Sequence, residues 1–256
     1  VLPVEDAEIS AFAKKAFVKQ GMKIMEKAMV KQLDRGKGKV TAHIEVGGKI
    51  EKQEFDTVIS AVGIVGNVEG LGLEALGVNL DRTHVVTDEF CRTGVEGLYA
   101  IGDIAGAPWL AHKASHEGVM VAELIAGKAG HVDYDLVPGV VYTSPEIAWV
   151  GKTEEDLKEA GIAYKVGKFP FMANSRARCN HTTEGFVKIL ADAKTDEVLG
   201  AHMIGVGVGE MIAEVCIAME FKASSEDIAR TCHAHPTQSE AVRQAAMGVE
   251  GWTMQM

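Results

Sequence analysis

Apolar residues Ile9, Phe12, Ala16 and Phe17 recur at helical spacing between Asp6 and Gln20. Asp6 stands where an N-cap accepts the first free N–H groups, and Gly21 where the chain can turn left-handed after the last. An amphipathic helix is predicted there. The period then shortens, and Met22–Met25, Val40–Val46 and Val58–Val62 read as three strands, with turns at Gly36, Gly38 and Gly47-Gly48. A glycine-rich stretch from Gly63 to Gly77 leads to Val85-Val86-Thr87 and to a short apolar strand, Gly97 to Asp103. Ala111 to Ala126 reads as a second helix.

The pattern changes near 127–138, where Gly127, Gly130, Pro138 and Gly139 surround a polar segment. Beyond it, Thr153 and Asp156 form a capping-box pair for a short helix that Gly161 ends. Phe186–Leu190 and Val198–Ile204 read as strands, Glu210 to Phe221 as a helix, and Ser225 and Thr237 as starts of two more. Strands paired through hairpins with helices on one side make this half an α+β domain. Gly205-Val-Gly207-Val-Gly209 has the spacing of a tight strand-to-helix turn and lacks the glycine placement of a nucleotide fingerprint.

Composition narrows the function. Among 256 residues, 26 Lys+Arg face 36 Asp+Glu, a net charge of −10 with no basic stripe, so no nucleic-acid partner is expected. Asp103, Glu123 and Glu214 interrupt the most hydrophobic stretches, so no membrane span is expected. Cys91, Cys179, Cys216 and Cys232 lie far apart, which fits reduced thiols better than a disulfide framework or a zinc site. No metal is expected, because Cys232, His233 and His235 have no further ligand pair at suitable spacing. Val1-Leu2-Pro3-Val4 has neither Met nor a leader pattern, so the chain is expected to begin inside a longer protein.

Two constellations carry candidate chemistry. A strand ending in Gly102-Asp103 lets backbone approach a ligand and offers a carboxylate to sugar hydroxyls; equally, Asp103 can simply cap the next element. In Cys232-His-Ala-His235-Pro-Thr237-Gln-Ser-Glu240, Glu240 can complete a capping box with Thr237, or hold His235 as a general base for a thiol.

Together these motifs have a family likeness. Thr93 to Asp103 resembles the second flavin motif of the two-dinucleotide-fold disulfide oxidoreductases. Trp109-Leu-Ala-His-Lys-Ala-Ser-His-Glu-Gly118 is similar to the helix start that follows it, and residues 231–240 resemble the H-A-H-P-T-x-S-E signature of the dihydrolipoamide dehydrogenase family. Val141 to Ile147 and Gly151 to Thr153 are similar to the opening of the interface domain.

The resemblance implies a truncated two-dinucleotide-fold α/β flavoprotein followed by a complete α+β dimerisation domain. Residues 1–70 would be the end of an NAD domain, 71–131 the returning FAD segment and 132–256 the interface domain. It implies that Asp103 binds the FAD ribityl chain, that Trp109, Leu110, Ala111 and His112 close over the flavin, and that Gly63 lies beside NAD. His235 is then the proton acceptor, supplied across a homodimer, and Glu240 its orienting partner. Lipoyl domains of 2-oxo acid dehydrogenase or glycine cleavage complexes are the implied partners, in bacterial cytoplasm or the mitochondrial matrix.

Departures from the family matter. The first flavin fingerprint, the redox C-x4-C and the G-x-G-x-x-G for NAD have no counterpart, so the chain alone is expected to be inactive. Gly63-Ile-Val-Gly-Asn67 stands where the family has Gly-Arg-x-Pro-Asn. A cofactor-free dimerisation module, packed through the Met211, Ile212, Val215 and Met219 stripe, is the alternative, as is the equivalent half of another disulfide reductase.

Overall fold

A computed structural model describes residues 1–254, which divide into two compact units. One combines Val1–Gln20 with the chain from Glu123 onward; the other is Gly21–Ala122. This division follows packing and cuts the chain elsewhere than the family segments expected above.

Helix α1 (Ala7–Lys19) forms as its pattern predicts, and the Asp6 carboxylate accepts the Glu8 N–H at 3.0 Å. Its buried Ile9 and Ala13 join Ile147, Phe186 and Ile204 in a small core, in which the Phe12 and Phe186 rings meet edge to face at 5.6 Å.

The second unit opens with an antiparallel meander of β1 (Ala28–Arg35), β2 (Val40–Val46) and β3 (Lys49–Phe55). Only the middle strand matches the sequence expectation. Met22–Met25 forms no strand, and β1 and β3 escaped detection because their charged residues leave no clean alternation. Gly47 and Gly48, at φ 57° and 80°, supply the paired left-handed residues of the β2–β3 hairpin. Val58–Val62 forms no strand either: Ile59 is 86% and Val62 95% exposed, and no neighbouring strand lies beside them among the described residues.

Next come the short hairpin β4 (Leu80–Asp81) and β5 (His84–Val85). The expected strand Gly97–Asp103 is reduced to one bridge, Arg92 to Tyr99, followed by a 3-10 turn over Gly102–Ala105. Gly102 takes φ 75° and turns the chain there, which ends the extension. Helix α2 (Ala111–Ile125) follows close to its predicted bounds.

In the first unit β6 (Gly139–Val141), β7 (Glu146–Gly151), β8 (Tyr164–Pro170), β9 (Phe186–Asp192) and β10 (Val198–Gly205) make one antiparallel sheet in the order β6-β7-β10-β9-β8. The chain also winds α3 (Glu154–Glu159), with both arms of the Thr153–Asp156 capping box made, and α4 (Ser175–Cys179). Helices α5 (Val208–Glu220), α6 (Ser225–Arg230) and α7 (Glu240–Val249) complete it. The predicted α+β arrangement is present. Gly207, at φ 77°, makes the strand-to-helix turn, so α5 starts earlier than expected.

Strand alternation explains why β9 and β10 are apolar almost throughout. Val187, Ile189, Ala201 and Met203 enter the core beneath α5 and α7, while Phe186 and Ile204 face the α1 side. Each large apolar side chain so buried contributes on the order of 1.5–3 kcal/mol. Lys188 and His202 fall on the α1 side too, directly opposite each other in register and almost fully buried. Carboxylates compensate them. Lys188 Nζ lies 2.9 Å from Asp6 Oδ2 and 2.8 Å from Glu154 Oε2, and His202 Nδ1 2.7 Å from Glu5 Oε1.

Candidate functional site

The loop between α6 and α7 carries the predicted base. His235 Nδ1 lies 2.9 Å from Glu240 Oε1 and 3.1 Å from Oε2, while the Thr237 N–H donates to Oε2 at 2.9 Å. A carboxylate only accepts, so Nδ1 carries the hydrogen, and in the neutral ring Nε2 holds the lone pair. The His235 side chain is 61% exposed and that of Glu240 only 11%. Burial raises the Glu240 carboxyl, but the Thr237 N–H and the His235 ring outweigh it and hold the group below its ordinary value.

The predicted capping box is half made. Glu240 accepts from the Thr237 N–H, yet the Thr237 hydroxyl donates to the Ala234 carbonyl at 2.8 Å, and α7 starts at Glu240 rather than Thr237. One carboxylate thus takes the Thr237 N–H and lies against the His235 ring. Sequence reasoning missed Asn174, which caps α4 through Oδ1 and donates from Nδ2 to the Thr237 carbonyl at 3.0 Å. Gln238 Nε2 ties the same loop to the Val206 carbonyl at 2.9 Å. His233 turns elsewhere, with Nδ1 2.9 Å from the Thr231 carbonyl and Nε2 3.9 Å from Glu214.

Five of the other candidate residues lie between 103 and 112 in the second unit. Asp103 sits exposed on the 3-10 turn, Trp109 and Leu110 lead into α2, and Ala111 and His112 begin it. A Cβ on Gly102 would lie 3.2 Å from that of Ala114, so turn and helix approach closely there. The Trp109 ring lies 5.9 Å from that of His84, whose Nε2 is buried without a hydrogen-bond partner among the described residues. Gly63 is exposed in coil at φ 112°; the chain then runs to Gly66, where a Cβ would meet the Thr83 carbonyl at 2.0 Å. Sequence reasoning also missed Lys113 and Glu117, buried on α2 behind the Asp103 turn. Their signal was present but ambiguous, since ionisable residues on a helix usually face solvent.

These features coincide with a known sequence family. Residues 1–118 match the pyridine nucleotide-disulphide oxidoreductase domain, and residues 137–246 match the dimerisation domain of the same family. The chain belongs to the pyridine nucleotide-disulphide oxidoreductases. Within that family its relatives include proteins named dihydrolipoyl dehydrogenase and leghemoglobin reductase. Dihydrolipoyl dehydrogenase 3 of Pseudomonas putida is 51% identical, over 100% of this chain and 55% of that protein. The mitochondrial enzyme of Pisum sativum is 50% identical, over 96% of this chain and 50% of its own length. The chain thus spans about half the length of the curated relatives it matches.

Solved structures agree. LpdA from Mycobacterium tuberculosis superposes with a TM-score of 0.88 at 27% identity, covering 95% of this chain and 53% of that one. The HOCl-induced flavoprotein disulfide reductase RclA from Escherichia coli gives 0.85 at 27% identity, covering 94% and 55%. Among the described residues no helix is long and apolar enough to cross a membrane.

Proposed function

We propose that this chain carries the proton-accepting part of a dihydrolipoyl dehydrogenase active site, with His235 as the base and Glu240 as the group that orients it. The observation that carries the reading is the 2.9 Å Nδ1–Glu240 bond beneath an exposed ring, which presents Nε2 outward with its lone pair. A dihydrolipoyl thiol gives its proton to Nε2, and the Glu240 carboxylate balances the charge the ring acquires. The resulting thiolate attacks one sulfur of a disulfide, forming a mixed disulfide and releasing the other sulfur as thiolate. The second substrate thiol passes its proton to the released enzyme thiolate and displaces the remaining enzyme sulfur, so that the substrate leaves oxidised and the disulfide reduced. The four cysteines of this chain lie far apart and none is spaced as C-x4-C, so that disulfide is drawn from other residues.

The Asp103 turn fits a flavin nucleotide. Asp103 is exposed, and His84 Nε2 is buried without a hydrogen-bond partner among the described residues. In this reading Asp103 holds the ribityl hydroxyls, Trp109 to His112 close over the ring and Gly63 flanks NAD. Bound FAD and NAD+ would supply the acceptor for the two electrons released by the dithiol. Residues 1–70, 71–131 and 132–256 are then NAD-domain, FAD-domain and interface segments. The match at residues 137–246 supports a homodimer, in which a second copy completes the site. Lipoyl domains of 2-oxo acid dehydrogenase or glycine cleavage complexes are the proposed substrate carriers, in bacterial cytoplasm or mitochondrial matrix.

The test joins this chain to a segment bearing the flavin fingerprint and redox cysteines. There His235→Ala lowers the rate of dihydrolipoamide oxidation by about 10²–10⁴ and leaves flavin content unchanged. Undiminished turnover overturns the assignment. The purified chain alone should show no lipoamide-dependent NADH turnover.

A further inference from the structure

Lys113 and Glu117 face each other one turn apart on α2, 1% and 2% exposed, with 3.2 Å between Nζ and Oε1. A buried pair of this kind adds little net stability, because desolvating two charges offsets their attraction. Its bonds to the neighbouring backbone are more informative. Lys113 Nζ donates to the Gly106 carbonyl at 2.9 Å and the Gly102 carbonyl at 3.4 Å, and Glu117 Oε2 accepts the Gly102 N–H at 2.7 Å. Both ends of the segment from Gly102 to Gly106 are therefore fastened to α2, with Asp103 between them. Within itself the turn has the Gly106 N–H bond to the Asp103 carbonyl, at 3.2 Å.

We propose that Lys113 and Glu117 are positioning residues, which act through the Gly102–Gly106 backbone to hold Asp103 where it meets the sugar-like chain of the cofactor. The inference rests on the reading of Asp103 given above. An apolar pair of similar size can fill the same volume, but it cannot replace the donor and acceptor that grip the turn.

Two double variants of the isotope-labelled chain separate these roles by amide NMR and hydrogen exchange. Lys113→Met with Glu117→Gln keeps an oxygen acceptor for the Gly102 N–H; Lys113→Met with Glu117→Leu removes it, and neither buries an unpaired charge. In the Gln variant the Gly102 amide proton stays downfield. In the Leu variant it moves upfield and exchanges about tenfold faster, and the Asp103 resonances shift, while the rest of α2 keeps its protection. Unmoved Gly102 and Asp103 signals in the Leu variant overturn the part given to Glu117, and unmoved Gly106 and Ala107 signals in both variants, which lose the Lys113 donor, overturn the part given to Lys113. Loss of α2 in both variants overturns both parts, since the pair then holds the helix rather than the turn. No flavin enters the readout, so failure here leaves the His235 assignment standing, and failure of that assignment leaves this result intact.

Discussion

Glu5 and His202, 197 residues apart in the chain, are joined by a 2.7 Å hydrogen bond in the interior of the first unit. The other ring nitrogen, Nε2, lies 3.0 Å from the Lys152 carbonyl, which can only accept, so Nε2 carries a hydrogen. One further proton must then lie between Nδ1 and the Glu5 carboxylate. The pair is neutral overall while it keeps that proton.

This arrangement makes the seating of α1 sensitive to alkali. Burial alone lowers His202, but the Glu5 bond and charge and the Lys152 carbonyl outweigh it and raise the ring above 6.5. Burial also raises Glu5 above 4.5, against the opposing pull of His202. A raised folded value means stability that is complete below the unfolded value and lost as pH climbs through the folded one. Hydrogen exchange across α1, corrected for its intrinsic pH dependence, should therefore accelerate above pH 6.5. A His202→Gln variant should lose that pH step, and a natural chain with flat protection to pH 9 or so would count against the shared proton.

Lys188 offers a sharper test of the same face. Asp6 is fully buried beside it; burial raises that carboxyl, but the Lys188 bond and charge outweigh it and hold it below its ordinary range. Replacing Lys188 by Met leaves Asp6 and Glu154 without their buried cation and should cost about 3–5 kcal/mol in urea unfolding of the first unit. A loss under about 1 kcal/mol would show that water reaches these carboxylates.

Backbone packing makes another prediction. A Cβ at Gly167 on β8 would lie 1.9 Å from the Ala245 carbonyl and 2.6 Å from the Val249 nitrogen, so α7 rests directly on the strand. Gly167→Ala should push α7 away and lower the thermal midpoint, at a cost of about 1–3 kcal/mol. Because α7 begins at Glu240, the same variant should disturb the His235–Glu240 bond, visible as a shifted His235 ring resonance.

Glu240 itself separates orientation from charge. Glu240→Gln keeps an acceptor for the Thr237 N–H and the His235 Nδ1–H, whereas Glu240→Ala removes both. In the joined enzyme the Gln variant should fall about 10-fold in rate and the Ala variant about 100-fold or more. Identical rates for the two would show that the bond does not orient the ring.

Local features were legible in the residue order alone. Asp6 as a cap, the Thr153–Asp156 box, the helix over residues 7–19 and the proximity of His235 to Glu240 all depend on neighbours a few positions away. Composition and spacing carry such information because caps and turns are made within one helical turn. Strands β1 and β3 were less legible, since their charged residues mask the alternation that a half-buried strand shows.

Burial of charge was decided by tertiary structure. Lys188 and His202 sit in apolar runs that mark them as strand positions, yet nothing local says that Glu5, Asp6 and Glu154 will meet them across the sheet. The same holds for Lys113 and Glu117, whose role appears only when the Gly102 turn folds back on α2. A hydrophobic pattern encodes which face of an element turns inward. It cannot encode which distant segment arrives to share a proton or compensate a charge, because that pairing exists only once the chain has closed on itself.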